Sequence, residues 1–246
     1  MKLARFCIVG DPHGDEINHD AAEKFFTWLD EFNPNIVIHG GDNWNMAALR
    51  KKASDKDKAV AIAPDYEAGT DFMRRLFAYG STRVFTRGNH DERMYSFAQN
   101  CTDAVTQVCA AKLCGDTDAL MRKLRVKVLP YDSRIGVLDI EGIRSIHGYA
   151  AGVSAARKFA LTYGTCAFNH THSMDVCPVE KWPEPAVAYG VGALLNIDQA
   201  YNSTQIGKLR HENGWLYGVT DGKRATYFQA RFKDGKVQAA HEIKEY

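Results

Sequence analysis

The sequence predicts an α/β fold in which parallel strands are joined by crossover helices. Two observations carry that expectation. The runs Phe6-Cys7-Ile8-Val9 and Ile36-Val37-Ile38-His39 are short and almost continuously apolar, as strands buried on both faces are. Between them, Ile17, Ala21, Phe25, Trp28, Leu29 and Phe32 recur at helical spacing, so residues 17 to 32 form an amphipathic helix. Strand, helix, strand in that order produces parallel pairing through a crossover.

The remaining elements come in order along the chain. Gly10-Asp11-Pro12-His13-Gly14-Asp15 closes the first strand in a turn, and the second stops at Gly40-Gly41-Asp42-Asn43. Residues 50 to 58 are charge-dense and read as a solvated excursion, with contact to a phosphate backbone as the functional alternative. A core-facing helix starts near Pro64, a residue suited to a first turn, carries Tyr66, Phe72, Met73, Leu76 and Phe77, and closes at Gly80. Val84-Phe85-Thr86 is the third strand and runs into Gly88-Asn89-His90-Asp91. Residues 92 to 125 are mostly helical, with Thr117-Asp118 as the start of the last helix. Arg122, Lys123, Arg125 and Lys127 read as a solvated basic face there.

Beyond Pro130 the pattern turns towards β. Residues 136–140 and 143–147, joined by Glu141-Gly142, make a hairpin. Residues 154–163 are helix-like. Thr165-Cys166-Ala167-Phe168 is a short strand ending at Asn169-His170-Thr171-His172-Ser173. Pro178, Pro183 and Pro185 make residues 173–185 an irregular loop. Strand-like runs at 215–219, 226–232 and 237–243 are separated by the turns Asp221-Gly222 and Asp234-Gly235. With no linker, repeat or low-complexity stretch, residues 1–246 read as one domain, with 186–246 as its β-rich completion.

Bulk composition narrows the function classes. A formal net charge of +1 supplies no global field for gripping nucleic acid or an anionic membrane. No run of about 18 apolar residues predicts a membrane span. The start Met1-Lys2-Leu3-Ala4-Arg5 leads straight into a strand with no secretory apolar stretch. The six cysteines form no Cys-x-x-Cys pair, which suits buried thiols in a reducing cytoplasm. A zinc site from Cys101, Cys109 and Cys114 is the alternative reading of three of them.

The strand ends carry the chemistry. Asp11 and His13; Asp42; Asn89, His90 and Asp91; His147; and His170 with His172 all fall where predicted strands stop. Ligands of open α/β sheets bind outside the carboxyl ends of the strands. His19, His39, His211 and His241 fall elsewhere and read as structural or solvent-exposed. Mixed imidazole, carboxylate and carboxamide donors suit Mn, Fe, Zn, Ni or Co better than Ca or Mg, and eight or more candidates are too many for one ion.

In sequence order, Asp11-Pro12-His13, Gly41-Asp42, Gly88-Asn89-His90-Asp91, His147 and His170-Thr171-His172 resemble the five motifs of the calcineurin-like metallophosphoesterases, most of all the small phage and bacterial members. The resemblance implies a four-layer α/β/β/α sandwich with two facing mixed β-sheets. It implies two divalent metal ions, manganese first among the candidates. Asp11, His13 and His172 would hold one, Asn89, His147 and His170 the other, and Asp42 would bridge them. Two-metal chemistry then implies attack of a bridging hydroxide on phosphorus, with His90 as general acid. Asp91 is either a supporting acceptor for a nearby histidine or loop, or a helix N-cap. Asn169 replaces the glycine that usually opens the last motif, and asparagine tolerates left-handed backbone there. Asn43, Trp44, Asn45 and Tyr149 adjoin the ligands as cleft-lining or packing residues.

The expected activity is hydrolysis of a phosphodiester, with a nucleotide or nucleic acid as substrate, no membrane and no obligate protein partner. A phosphomonoesterase or phosphoprotein phosphatase is the alternative, weakened because Asp42 is followed by Asn43-Trp44-Asn45 and not by an arginine-bearing continuation. A non-catalytic metal-binding scaffold of the same fold is the alternative from another class.

Overall fold

A computed structural model of the protein describes residues 3–197 and 210–239. The first apolar run forms β1 (Ala4–Val9), and successive side chains on a strand point to opposite faces. Phe6 and Ile8 therefore enter one apolar layer while Cys7 and Val9 enter another. The same division governs β2 (Ile36–His39), where Ile36 and Ile38 join the first layer and Val37 the second. Helix α1 (His19–Phe32) lies between them in sequence. Its Asn18 cap accepts from the N–H of Ala21 at 3.1 Å, and Asn33 ends it in left-handed backbone.

Next come α2 (Asp55–Lys58), α3 (Ile62–Leu76), β3 (Thr82–Thr86), α4 (Glu92–Asn100), α5 (Ala104–Lys123) and β4 (Lys127–Leu129). The second half supplies β5 (Leu138–Ile140), β6 (Ile143–Ile146), α6 (Ala155–Tyr163), β7 (Cys166–Phe168), β8 (Val176–Val179), β9 (Ala186–Gly190), β10 (Asn213–Thr220), β11 (Ala225–Lys233) and β12 (Lys236–Gln238). One sheet has the order β12-β11-β10-β1-β2-β3-β4, the other β5-β6-β7-β9-β8. Strands β1 to β4 pair in parallel and β10 to β12 are antiparallel. In the second sheet β6, β7 and β9 are parallel, with antiparallel β5 and β8 at the edges.

The two mixed sheets face each other across Phe6, Ile8, Ile36, Ile38, Val84, Leu138, Ile143 and Ala167. Phe25, Leu29, Phe72 and Met73 from α1 and α3 cover the outer face of the first sheet. Phe159 and Ala160 from α6 cover the outer face of the second. This is the four-layer α/β/β/α arrangement. Among the described residues no helix is long and apolar enough to cross a membrane.

Several local expectations change. Thr117 and Asp118 do not start a helix: α5 is continuous, capped by Asp103, whose carboxylate accepts from the N–H of Thr106 at 2.7 Å. Thr117 is buried with its hydroxyl 3.1 Å from that of Tyr66, and Asp118 accepts from Tyr95, so both polar residues are held by tertiary partners. Residues 173–185 are not wholly irregular. They contain β8, where Pro178 opposes Val187 at the edge of the sheet, a position where a residue without an N–H is tolerated. The predicted run to residue 243 is described as far as 239, and His241 lies outside the described residues. Cys109 and Cys114 lie on α5 and Cys101 just before it, and among the described residues no cysteine enters a group able to hold a metal.

Candidate metal centre

Five strands from both sheets deliver their carboxyl ends to one place. Asp11 and His13 follow β1, Asp42 follows β2, Asn89 and His90 follow β3, His147 follows β6, and His170 and His172 follow β7. Because the chain must turn sharply while aiming a side chain inward, the backbone there is strained. Asp11, His13, Asp42, His170 and His172 all have positive φ, between 50° and 74°. Five of the seven predicted ligands therefore occupy the left-handed region, which costs a non-glycine residue about 1–3 kcal/mol and persists only where the surroundings enforce it.

The donors converge in three groups: Asp11, His13 and His172; His13, Asp42 and His90; and Asp42, His147 and His170. Within each group the ligating atoms lie within 4.8 Å of one another. The Nε2 atoms of His13 and His172 are 3.1 Å apart. Asp11 Oδ1 lies 3.6 Å from His172 Nε2 and 4.0 Å from His13 Nε2. Across the centre, Asn89 Oδ1 lies 3.2 Å from His147 Nε2 and 2.7 Å from His170 Nδ1. Asp42 stands between the halves. Its Oδ1 accepts from the His90 N–H at 2.8 Å, while Oδ2 lies 3.3 Å from His147 Nε2, 3.9 Å from His90 Nε2 and 4.0 Å from His13 Nε2.

The electrostatics ask for positive charge. Among the described residues, Asp11 and Asp42 make ion pairs with histidines only. Burial would raise Asp42, but the His147 and His90 charges hold it well below the ordinary carboxylate range. Burial would likewise raise Asp11, and its contact with His172 brings it down. Burial pushes His13 well down. For His147 burial also pulls down, yet Asp42 overrides it and lifts the imidazole to about 9. Its Nδ1 lies 2.8 Å from the carbonyl of Gly40, so Nδ1 carries a proton and Nε2 points to the centre. Asp11 Oδ1 is buried with no hydrogen-bond partner. Buried charges are paired or coordinate metals, and an orphaned carboxylate oxygen beside converging imidazole nitrogens fits a divalent cation.

Asp91 sits at the N-cap position of α4 but makes no capping bond. Its carboxylate instead accepts four backbone N–H groups: Gly88 at 2.7 Å, Asp42 and Asn43 at 2.8 Å, and Trp44 at 3.2 Å. It thus ties the β2 turn to the β3 turn, which is the supporting role and not the helix cap. Burial and the neighbouring Asp42 push Asp91 up to about 7, against the pull of those N–H donors. Asp65, on α3, does the same for the next stretch, accepting from Asn45 at 2.9 Å and Met46 at 2.6 Å. Burial pushes it up to about 6. Nothing near Asp65 in sequence marks it as part of the site, and only its place in a helical first turn could have drawn attention to it.

Asn169 does not adopt left-handed backbone. Its buried carboxamide donates to Asp11 Oδ2 at 2.8 Å, and a Cβ on Gly10 or Gly40 would meet it at 2.5 Å or 1.8 Å. Two glycines thus leave room for the side chain that the usual glycine lacks. Trp44 and Asn43 are fully buried packing residues, whereas the carbonyl of Asn45 lies 3.1 Å from His90 Nδ1 and also accepts from Arg93. His39 is a buried structural residue, its Nε2 3.1 Å from Asn43 Oδ1. His211, placed by sequence away from the site, packs edge-on against His172 with ring centroids 4.7 Å apart.

A family model described as calcineurin-like phosphoesterase matches residues 4–174. No curated protein matches the chain. Among solved structures, Vacuolar Protein Sorting 29 from Cryptosporidium parvum is similar at 14% identity and a TM-score of 0.51, covering 97% of this chain and 96% of that one. Vps29 from Entamoeba histolytica complexed with zinc has 12% identity and a TM-score of 0.49, covering 96% and 97%. Yfce, a phosphoesterase from E. coli, has 14% identity and a TM-score of 0.42, covering 95% and 96%. At such identities the first of these speaks for the fold alone.

The two carboxylate clamps can each be tested. In EDTA, Asp91→Ala leaves up to four buried N–H groups without their acceptor and lowers the urea unfolding free energy by roughly 3 kcal/mol or more; a loss below about 1 kcal/mol contradicts the clamp. Asp65 has its folded value raised from 3.8 to about 6, so its contribution to stability is fully present below 3.8 and is lost as pH rises through 6. The stability difference between the wild type and Asp65→Asn, measured in EDTA, therefore widens in favour of the wild type as pH falls from 7 to 4. A difference independent of pH contradicts it.

Proposed function

The chain belongs to the calcineurin-like phosphoesterase family, and from that premise we propose that it hydrolyses phosphodiesters of nucleotide or nucleic-acid type at a dinuclear centre. Membership makes it a metal-dependent phosphoesterase; the two-ion centre and the diester substrate are the further step. One observation carries the two-ion step: Asp42 groups with His147 and His170 on one side and with His13, a member of the other donor set, and His90 on the other.

Asp11, His13 and His172 would hold one cation and Asn89, His147 and His170 the other, with Asp42 shared. The mixed donor set favours manganese, iron, zinc, nickel or cobalt, and manganese is the pair we propose. Two such cations acidify a water, orient phosphorus and neutralise charge that develops on the phosphoryl oxygens.

The chain's own residues do the rest. His90 is oriented by Asn45, whose carbonyl faces Nδ1, so Nε2 turns towards the centre. Burial holds this imidazole down at about 4 in the free protein, against the upward pull of Asp42. An anionic phosphate beside Nε2 raises its proton affinity, and the imidazolium so formed can hand its proton to the leaving oxygen. Asp91 keeps the Asp42 and Gly88 turns in register through its four N–H contacts. A phosphoprotein phosphatase reading expects an arginine in the turn after Asp42, where this chain has buried Asn43 and Trp44. The scaffold reading expects a depleted donor set, and every predicted donor is present.

His90→Ala keeps its bound metal while hydrolysis of bis-p-nitrophenyl phosphate in Mn²⁺ falls by about 10²–10⁴-fold; an unaltered rate rejects the role given to His90. Asp42→Ala loses both ions by elemental analysis, and full occupancy overturns the shared-ligand assignment. Wild type that turns over p-nitrophenyl phosphate but not the diester restores the monoesterase reading. Metal binding without turnover of either restores the scaffold.

A further inference from the structure

Beside His147 lies a cavity of about 300 Å³ that the metal chemistry does not use. Its wall carries Arg87, Tyr131, Ser133, His147, Tyr149 and Tyr163. Three phenol rings and one guanidinium around so small a space, sharing a wall with a predicted metal ligand, form a specific chemistry.

Each ring is held. Tyr131 meets His147 edge-on, ring centroids 5.8 Å apart. Tyr149 is backed by Phe159 at 5.4 Å and by the Lys158 ammonium 4.7 Å from its centroid. Tyr163 donates to the carbonyl of Ser133 at 2.9 Å and closes the far side. Arg87 lies flat on Tyr95, its Cζ 4.0 Å from that ring, with Nη1 3.3 Å from Glu92. Its Nε is buried and has no hydrogen-bond partner. Asp132 also lines the space, but its carboxylate is engaged by the N–H groups of Arg134 and Ile135.

A volume of about 300 Å³ is at the low end for small-molecule sites, enough for one ring system with its sugar and too small for a folded peptide loop. Phenol rings on the wall suit a flat heterocycle that stacks against them, as nucleobases do. We infer that this cavity receives the nucleoside of the substrate, its base against Tyr131 and Tyr149, while the phosphate sits at the histidine–aspartate centre. This rests on the phosphodiesterase reading.

The test compares thymidine 5′-monophosphate p-nitrophenyl ester with methyl p-nitrophenyl phosphate in Mn²⁺. The leaving group is the same, so the ratio of kcat/KM isolates the nucleoside. The wild type favours the nucleoside ester by roughly tenfold or more, mainly through KM. In Tyr131→Ala and in the half-exposed rim variant Tyr149→Ala the ratio falls towards one, and any loss shared by both substrates cancels. Equal kcat/KM values in the wild type, or a ratio kept in both variants, overturns the cavity assignment and leaves the diesterase reading standing. If neither diester is cleaved, the diesterase reading fails instead. Calorimetry then decides the cavity: thymidine 5′-monophosphate binding tighter than ribose 5-phosphate, with the difference lost in Tyr131→Ala, supports it, and equal binding overturns it.

Discussion

The geometry of the centre depends on one carboxylate that joins none of its donor groups. Asp91 gathers four backbone N–H groups from two turns, one after β2 and one after β3. Those turns carry Asp42, Asn89 and His90. A single buried acceptor therefore sets the separation between the shared carboxylate and the donors on the neighbouring strand. Side chains further out repeat the device. Asp65 holds Asn45 and Met46 from α3, and Asn169 holds Asp11 from the other sheet. The supports thus reach the turns from elements on both sides of the sandwich.

Such support is needed because the donors sit where backbone resists them. Left-handed conformation at Asp11, His13, Asp42, His170 and His172 would relax in an isolated loop. Here strands buried on both faces anchor each turn on its amino side, and the carboxylate clamps secure the turns after β2 and β3 from beyond. Strain and charge are related: the same compression that twists the backbone brings carboxylates and imidazoles within 4 Å, where positive charge satisfies them.

Much of this was legible in the sequence. Strands β1 and β2 show as apolar runs because they are buried on both faces, and their ends show because polar residues begin there. The clustering of donors results from chain order and strand-end geometry. What escaped are features whose cause lies far away in the chain. Pro178 argued against a strand, yet an edge position removes the objection. Thr117 and Asp118 resemble a helix start, yet Tyr66 and Tyr95 hold them inside α5. Asp65 and His211 join the site from a helix and a late segment that no local pattern marks. Asn169 reads as a substitute for glycine, whereas the structure employs its side chain in space vacated by Gly10 and Gly40.

The central claim is that the two donor groups flanking Asp42 hold separate ions. Anomalous diffraction at the manganese absorption edge, from crystals grown with Mn²⁺, tests it most directly. Two peaks are expected, one among Asp11, His13 and His172, the other among Asn89, His147 and His170, with Asp42 touching both. A single peak, or occupied sites that leave Asp42 free, would contradict it.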